Sequence, residues 1–447
     1  MPKKSMILNL FFFNPQGDYR FSWRHPEAPT MEIFSLPYYV KLVQQAEAAQ
    51  FDAVFVADHV AVWDSVDSGL KHYANPRLEP ITLLSALAAV THSIGLMATA
   101  STSYNDPFNI SRYFASLDHL SGGRASWNVV TSWLEEEAAN FGGGGVPKHG
   151  DRYQRAHEFI AVVKRLWDSW EEGALLFNKS TGDFADVAKV HAIHHQGEHF
   201  TVRGPLNVPR SPQGHPILAQ AGSSEAGRNL AAAHADVHFC FINSVDEGLT
   251  YRADLNRRLA LHGRAPGDLK IIAGVLPVVL ENETEAERRQ QLVDSLVIDA
   301  MAIDLVSSYT RLNLNGLSPD EPLPPLPDES EFDGIRTELA IIKKYDPSMS
   351  IRDIGRQLVK SSSTWLVIGT AEQVAAQLSE LYEANAVDGY NLMFPFLPTD
   401  FERFTASVVP LLQQRGVFRQ AYEPGTLRDR LGLKTPSNSF AVECGGL

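Results

Sequence analysis

Read in chain order, the polar residues with chemical capability fall in short groups, each just behind an apolar run. They are Trp23, Arg24 and His25 in FSWRHP, Asp58-His59, residues 101–106 in STSYND, Asn128 with Thr131-Ser132, and residues 222–228 in GSSEAGR. Histidine changes protonation near neutral pH, so His25 and His59 are the candidates for a proton donor or a hydrogen bond to a reacting group. In GSSEAGR, Ser223 and Ser224 precede a helical segment, where free backbone N–H groups and the helix dipole attract an anion such as a phosphate. The same serines also read as a plain helix cap. In HGDRYQRAHE, His149 and Tyr153 stand four apart and share one helix face, an arrangement that suits a phosphate-bearing ligand or simple surface polarity. GGGG at 142–145 lacks the GxGxxG spacing and reads as a loop.

These groups need elements to hold them. Short apolar runs at 6–13, 51–57, 94–101, 125–130, 216–221, 236–242, 270–279 and 387–395 read as strands. Segments of helical spacing at 36–49, 80–92, 107–120, 151–171, 224–235, 245–261, 283–307 and 370–386 alternate with them, the second opening on Pro80. Such alternation predicts an α/β fold, a (β/α)8 TIM barrel with insertions in the βα loops, over an open doubly wound sheet. The polar groups would then gather at the C-terminal ends of the strands, where barrels of this kind keep their active sites. Residues 172–215 and 308–369 depart from the alternation and are expected to be insertions that gate the site, within one domain spanning 1–447. From about Arg415 the chain reads as an arm packed on the barrel or on a partner subunit.

Composition narrows the function. With a formal net charge of −14 and no basic block, the chain is a poor match for nucleic acid or an anionic membrane surface. The two cysteines, Cys240 and Cys444, exclude a disulfide framework and fit a reducing cytoplasm. The run near the N-terminus lacks the length and cleavage site of a signal peptide, and no stretch is long and apolar enough for a membrane span.

Several stretches together resemble the bacterial luciferase-like superfamily, in the branch of nitrilotriacetate, EDTA, dimethyl sulfide and dibenzothiophene-sulfone monooxygenases. They are FDAVFVADH (51–59), EPITLLSALAAVT (79–91), IGLMATASTSYNDPFNISRYFASLDHLSGGRASWNVVTS (94–132), HGDRYQRAHE (149–158), PILAQAGSSEAGRNLAAAHAD (216–236), VIGTAEQVAAQL (367–378) and VDGYNLMF (387–394). The resemblance implies the barrel, FMN as cofactor, and a separate NAD(P)H:flavin reductase that delivers the flavin already reduced. It also implies a homodimer or tetramer. Carried over position by position, it puts Asp58 and Ser103 beside the isoalloxazine and Asn128 beneath or beside the ring. His149, Tyr153, Ser223 and Ser224 would hold the ribityl phosphate. The family often has STTY where this chain has STSY, and Ser103 keeps the hydroxyl.

The implied reaction is oxidation of a small organic substrate, sulfur-containing or aminocarboxylate, by O2 and reduced FMN through a C4a-(hydro)peroxide. It demands a dry cavity and a hydrogen-bond donor near the flavin. Phe11, Phe12, Phe13, Trp23 and Trp63 could line that cavity or be ordinary core. Arg24, Arg311 and Arg336 are arginines that could meet a carboxylate substrate. Two other enzymes remain open: an oxidoreductase using the deazaflavin F420 on the same barrel, and a metal-dependent barrel hydrolase built on His191, His194, His195, His234 and Asp236. A non-enzymatic flavin carrier is the third.

Overall fold

The computed structural model describes residues 5–63, 67–142, 144–314, 316–326, 339, 342–361 and 364–443. Cys444, Arg336 and part of the GGGG and PDEPLPPLPDES stretches lie outside them. Eight parallel strands close into a barrel: β1 (Ile7–Phe12), β2 (Ala53–Val56), β3 (Gly95–Ser101), β4 (Ala125–Val130), β5 (Ile217–Gln220), β6 (Val237–Cys240), β7 (Lys270–Val279) and, after an extra strand β8 (Trp365–Gly369), β9 (Gly389–Leu392). Closure comes from β9 pairing with both β1 and β7, and from β6 pairing with β5 and β7. Every expected strand has its counterpart. β8 is an addition, laid along the far half of β7, with Val275 opposite Trp365.

Alternation along each strand sorts the two sides of the wall. On β1, Leu8 and Leu10 point out to the surrounding helices, while Ile7 and Phe11 point in. Phe11, Phe55 and Phe239 meet inside the barrel, with ring centroids 5.0 to 6.3 Å apart. They fill its middle as a packed plug. Phe12 points outward, edge-on to Tyr39.

The helices start where side chains satisfy their free N–H groups. Asp106 accepts from the backbone of Phe108 and Asn109 ahead of the helix Pro107–Leu120, and Glu79 does the same for Ile81 and Thr82 ahead of Pro80–Ala88. Two helices differ from expectation. The segment 283–307 breaks at Val297-Ile298 into Glu283–Leu296 and Asp299–Thr310, because both residues turn to an extended backbone. The closing helix is Thr399–Gln414, beyond the expected 370–386, and it carries Pro410 inside it.

Two described helices between β7 and β8, Asp299–Thr310 and Ile351–Ser361, lie over the mouth. They share one core with the interior of the barrel, through Leu296, Leu305, Val306, Ile354 and Leu358. Their close approach depends on Gly355, where a Cβ would lie 2.4 Å from the carbonyl oxygen of Ala302. The stretch 172–215 follows the helix His149–Trp167 and, from His191 onward, packs at the opposite end of the barrel, not over the strand ends where a gating insertion was expected, because its polar side chains find their partners on Glu171, Asp168 and the C-terminal arm. There Arg210 pairs with Asp168 and with the carbonyl of Pro436, and His191 stacks on Phe440 at 4.6 Å. The C-terminal arm closes that end: Leu427 sits against Gly95 at the start of β3, and Arg428 makes a two-pronged pair with Asp236 at 2.9 and 3.0 Å.

Candidate active site

At the mouth, β2 runs out into Asp58 and His59, and both face a cavity of about 700 Å³. Thr99 and Ser101 of β3, Ser132, Glu137 and Glu79 complete much of its polar wall. Burial pushes the Asp58 carboxyl up to about 7, against the pull of the Arg77 guanidinium, so this acid is only partly ionised near neutral pH. His59 moves the other way, down to about 3. Burial disfavours its charged form, and the cations Arg77 and Arg20 add to the effect. His59 is therefore a neutral imidazole, available as a hydrogen-bonding group at the wall.

Asn128 projects into the barrel from β4. Its amide nitrogen donates to the hydroxyl of Thr99 at 2.9 Å, and its buried Oδ1 has no partner. A buried acceptor left unmatched costs about 1–3 kcal/mol, so this oxygen calls for a donor from a bound molecule. Ser103 lies on the rim, donating to the carbonyl of Thr131 at 2.8 Å.

A second group forms at the N-terminal ends of two helices. Ser224 caps the helix Glu225–His234 by accepting from Gly227 N–H at 3.1 Å, and its hydroxyl stands 3.5 Å from Nε2 of His149. His149 packs on Tyr153 at 4.8 Å. Ser223 hydrogen-bonds Tyr251, whose phenol in turn meets His238 at 2.8 Å. Gly222 leaves the space between strand and helix open: a Cβ there would lie 2.8 Å from the Tyr153 hydroxyl. Hydroxyls, an imidazole and helix-end N–H groups thus converge on one spot, as a phosphate requires.

The structure brings Asp58 and His59 together, and His149, Tyr153, Ser223 and Ser224 together; it sets His25 elsewhere. His25 is half-buried against Phe396 at 4.5 Å, with Nδ1 accepting from Glu27 N–H, and is absent from the cavity wall. Trp23 donates to the carbonyl of His72, and Arg24 to that of Leu296. Arg311 ends its helix in a left-handed conformation.

The histidines proposed for a metal disperse. His191 pairs with Glu171, His195 with Glu158 and His234 with His157, while Asp236 pairs with Arg428. Among the described residues no group of His, Cys, Asp and Glu is arranged to hold a metal ion.

Sequence reasoning missed Glu137 and Arg77. Glu137 is buried and accepts from Ser132 at 3.2 Å and from Val60 N–H at 3.1 Å, tying the ends of β4 and β2 into one wall. It stands third in a run of glutamates, and nothing local separates it from its solvated neighbours. Arg77 sits over the ring of Phe13 at 4.5 Å, in a long loop without a motif.

The family model of luciferase-like monooxygenases matches residues 18–388. N-acetyl-S-(2-succino)cysteine monooxygenase of Bacillus subtilis is 42% identical over 98% of this chain and 99% of that protein. Nitrilotriacetate monooxygenase component A of Aminobacter aminovorans is 42% identical over 96% of this chain and 97% of its own length. The crystal structure of riboflavin lyase with modified FMN and riboflavin has 33% identity over 97% of each chain and a TM-score of 0.86.

Proposed function

The chain belongs to the luciferase-like monooxygenases, and on that premise we propose that it is the oxygenase component of a two-component system. It takes reduced FMN from a separate NAD(P)H:flavin reductase and uses O2 to oxidise a small sulfur-containing or aminocarboxylate compound. The observation that carries the cofactor assignment is the pairing of two features: the His149–Ser224 approach beside a helix N-terminus, and the partnerless buried Oδ1 of Asn128. The first suits a phosphate and the second suits a ring that donates a hydrogen bond, so the residues present fit FMN.

In this reading Ser223, Ser224, His149 and Tyr153 hold the phosphate end, and Asn128, Ser103 and Asp58 lie toward the ring. Bound there, the reduced flavin supplies the electrons with which O2 is activated and one oxygen atom is transferred to substrate. Asp58 keeps a proton at its carboxyl below about pH 7 and offers it as a hydrogen bond at the cavity wall. His59 stays neutral and accepts or donates one without changing charge. His25, beside Phe396, keeps at most an indirect part through the loop it anchors. The helices across the mouth exclude water, which strengthens each polar contact beneath them. The whole chain acts as one barrel unit, as a homodimer or tetramer in the cytoplasm; no described helix is long and apolar enough to cross a membrane.

The test is turnover with an independent flavin reductase under ¹⁸O2, using N-acetyl-S-(2-succino)cysteine and nitrilotriacetate as trial substrates, alongside titration with FMN, riboflavin and F420. Tight FMN binding and one ¹⁸O atom per product are expected. Binding of F420 in preference to FMN, or product without label, overturns the reading.

A further inference from the structure

The long helix His149–Trp167 starts without a side-chain cap, because Lys148, the residue before it, makes no capping hydrogen bond. The first N–H groups of a helix need acceptors, and the positive end of its dipole favours a negative one. The opening turns carry two kinds of contact. His149 packs on Tyr153 at 4.8 Å and stands 3.5 Å from the Ser224 hydroxyl. Arg152 and Arg155 reach instead to the ends of two barrel strands. Arg152, only 5% exposed, donates from Nη1 to the carbonyl of Ser132 just past β4. Nε of Arg155 donates to the carbonyl of Thr102 just past β3 at 3.2 Å, with its guanidinium 4.3 Å from the centre of the Phe200 ring. Spacings of three and four put His149, Arg152 and Tyr153 on one stripe of the helix.

Ser132 is where these contacts enter the cavity wall. Its φ of 36° lies in the left-handed region, which a residue with a side chain keeps only when its surroundings hold it there. Those surroundings are Arg152 on its carbonyl, and Ser101 at 2.8 Å and Glu137 at 3.2 Å on its hydroxyl. Oγ of Ser101 accepts in turn from Ser103 N–H at 3.1 Å, and Glu137 from Val60 N–H at 3.1 Å, two residues past Asp58. Ser101, Ser132, Glu137 and Asp58 all line the cavity. One run of hydrogen bonds thus leads from the helix start, through Arg152 and Ser132, to Ser103 on one side and the Asp58 strand end on the other.

A helix start without a cap frays, and a frayed turn releases what its side chains hold. An anion seated among His149, Tyr153, Ser223 and Ser224 caps that turn, the capped turn fixes Arg152, and Arg152 fixes Ser132. Order brought about by one ligand need not be supplied by the next, which makes their binding cooperative.

We propose that Arg152, assisted by Arg155, is the positioning residue that couples the phosphate end of the site to its ring end, so that the wall around Ser132 sets firmly only when an anion occupies the helix start. This rests on the FMN reading and adds a link between its two halves: the phosphate organises the cavity as well as anchoring the cofactor. A flavin without phosphate meets a wall left loose at Ser132.

The experiment is fluorescence titration of riboflavin with and without saturating inorganic phosphate, at an ionic strength held constant with potassium chloride. The proteins are the wild type, Arg152→Gln, Arg152→Lys, Arg155→Gln and His149→Ala, and FMN affinity is measured for each. In the wild type phosphate should tighten riboflavin binding by about fivefold or more, the low end of ordinary coupling between sites. Riboflavin should tighten phosphate binding by the same factor in calorimetry, since coupling is reciprocal. The factor should fall to about one in Arg152→Gln and His149→Ala, and lie between in Arg152→Lys and Arg155→Gln. Arg152→Gln should still bind phosphate alone. A merely structural arginine would weaken riboflavin equally with and without phosphate, leaving the factor as it is in the wild type.

Riboflavin affinity that ignores phosphate, in a wild type that binds FMN, overturns this proposal alone. A factor kept in Arg152→Gln also overturns it, as does one kept in His149→Ala, which puts the anion elsewhere. A wild type that binds no FMN strikes the flavin reading and this proposal with it. If Arg152→Gln does not fold, Ser132→Gly tolerates the left-handed turn and removes the hydroxyl that joins Ser101 to Glu137. Its factor should fall as well, and a wild-type factor in that variant overturns the coupling through Ser132.

Discussion

The hydroxyl of Ser224 and Nε2 of His149 stand 3.5 Å apart, though 75 residues separate them in the chain. Ser224 caps the helix that follows β5, and His149 opens the long helix after β4. Two helix N-termini therefore open side by side at the mouth, and their dipoles add in favour of one anion.

Ser224→Ala and His149→Ala should each weaken FMN binding by roughly tenfold to a hundredfold, from the ~1.5–3 kcal/mol of a hydrogen bond to a charged group. Riboflavin, which lacks the phosphate, should bind all three proteins alike. Fluorescence titration of both flavins is the measurement, and equal losses for the two would remove the phosphate assignment. Ser224→Ala should also cost about 1 kcal/mol of stability through the lost cap.

Gly222→Ala attacks the same place by volume. Its Cβ would come 2.5 Å from Nε2 of Gln220 and 2.8 Å from the Tyr153 hydroxyl, so Tyr153 must move. A tenfold or greater loss of FMN affinity with little change in melting temperature is expected; unchanged binding would mean that Tyr153 does not touch the cofactor.

Asp58 predicts a pH dependence. Its folded pKa, about 7, lies above the ordinary value of 3.8 for an aspartate, so the folded protein binds the extra proton. The stability linked to Asp58 is then fully present below about pH 4 and lost as pH rises through about 7. Activity that uses the protonated carboxyl should fall over the same upper limb. Asp58→Asn should flatten that limb in a kcat/KM profile; a limb unchanged in the variant would rule Asp58 out as its source.

Arg428→Met tests the far end of the barrel. Removing the arginine leaves Asp236 buried and unpaired, which costs about 3–5 kcal/mol, while the mouth is untouched. A clear drop in melting temperature with unchanged FMN affinity is expected. The carboxyl of Asp236 is held below its ordinary range chiefly by Arg428, in spite of burial. Its contribution is present above the unfolded pKa and lost as pH falls through the folded one, so the gap between wild type and variant should narrow in acid. A constant gap would argue against the ion pair as its cause.

Much of this protein is written in its local sequence. Strand and helix alternation gives the barrel because period-2 and period-3.6 patterns each permit one way of burying their apolar faces. The most recognisable motif, SLDHLSGGR, turns out to build the barrel's closed end. Asp118 accepts from Ala125 N–H and from Gln213, and Arg124 donates to the carbonyls of Ala88, Thr91 and Ile94. It marks the family strongly because a buried arginine with that many fixed partners allows few substitutes.

The position of candidate residues at the strand ends was legible where they follow a strand directly, as at Asp58-His59 and Ser223-Ser224, and Asn128 sits in the strand itself. It was not legible at His25, whose place depends on the packing of Phe396, nor at Glu137, Arg77 and Arg20, which lie in loops. A loop side chain has no period to betray its direction, and whether an arginine is solvated or stacked over Phe13 depends on residues sixty positions away. The sequence by itself determined the barrel, its family and which polar residues stand behind the strands, since these follow from local pattern. Only the tertiary structure decided which charges stand beside His59 and Asp58, because charge, burial and pKa at the mouth are set by neighbours that the chain brings together on folding.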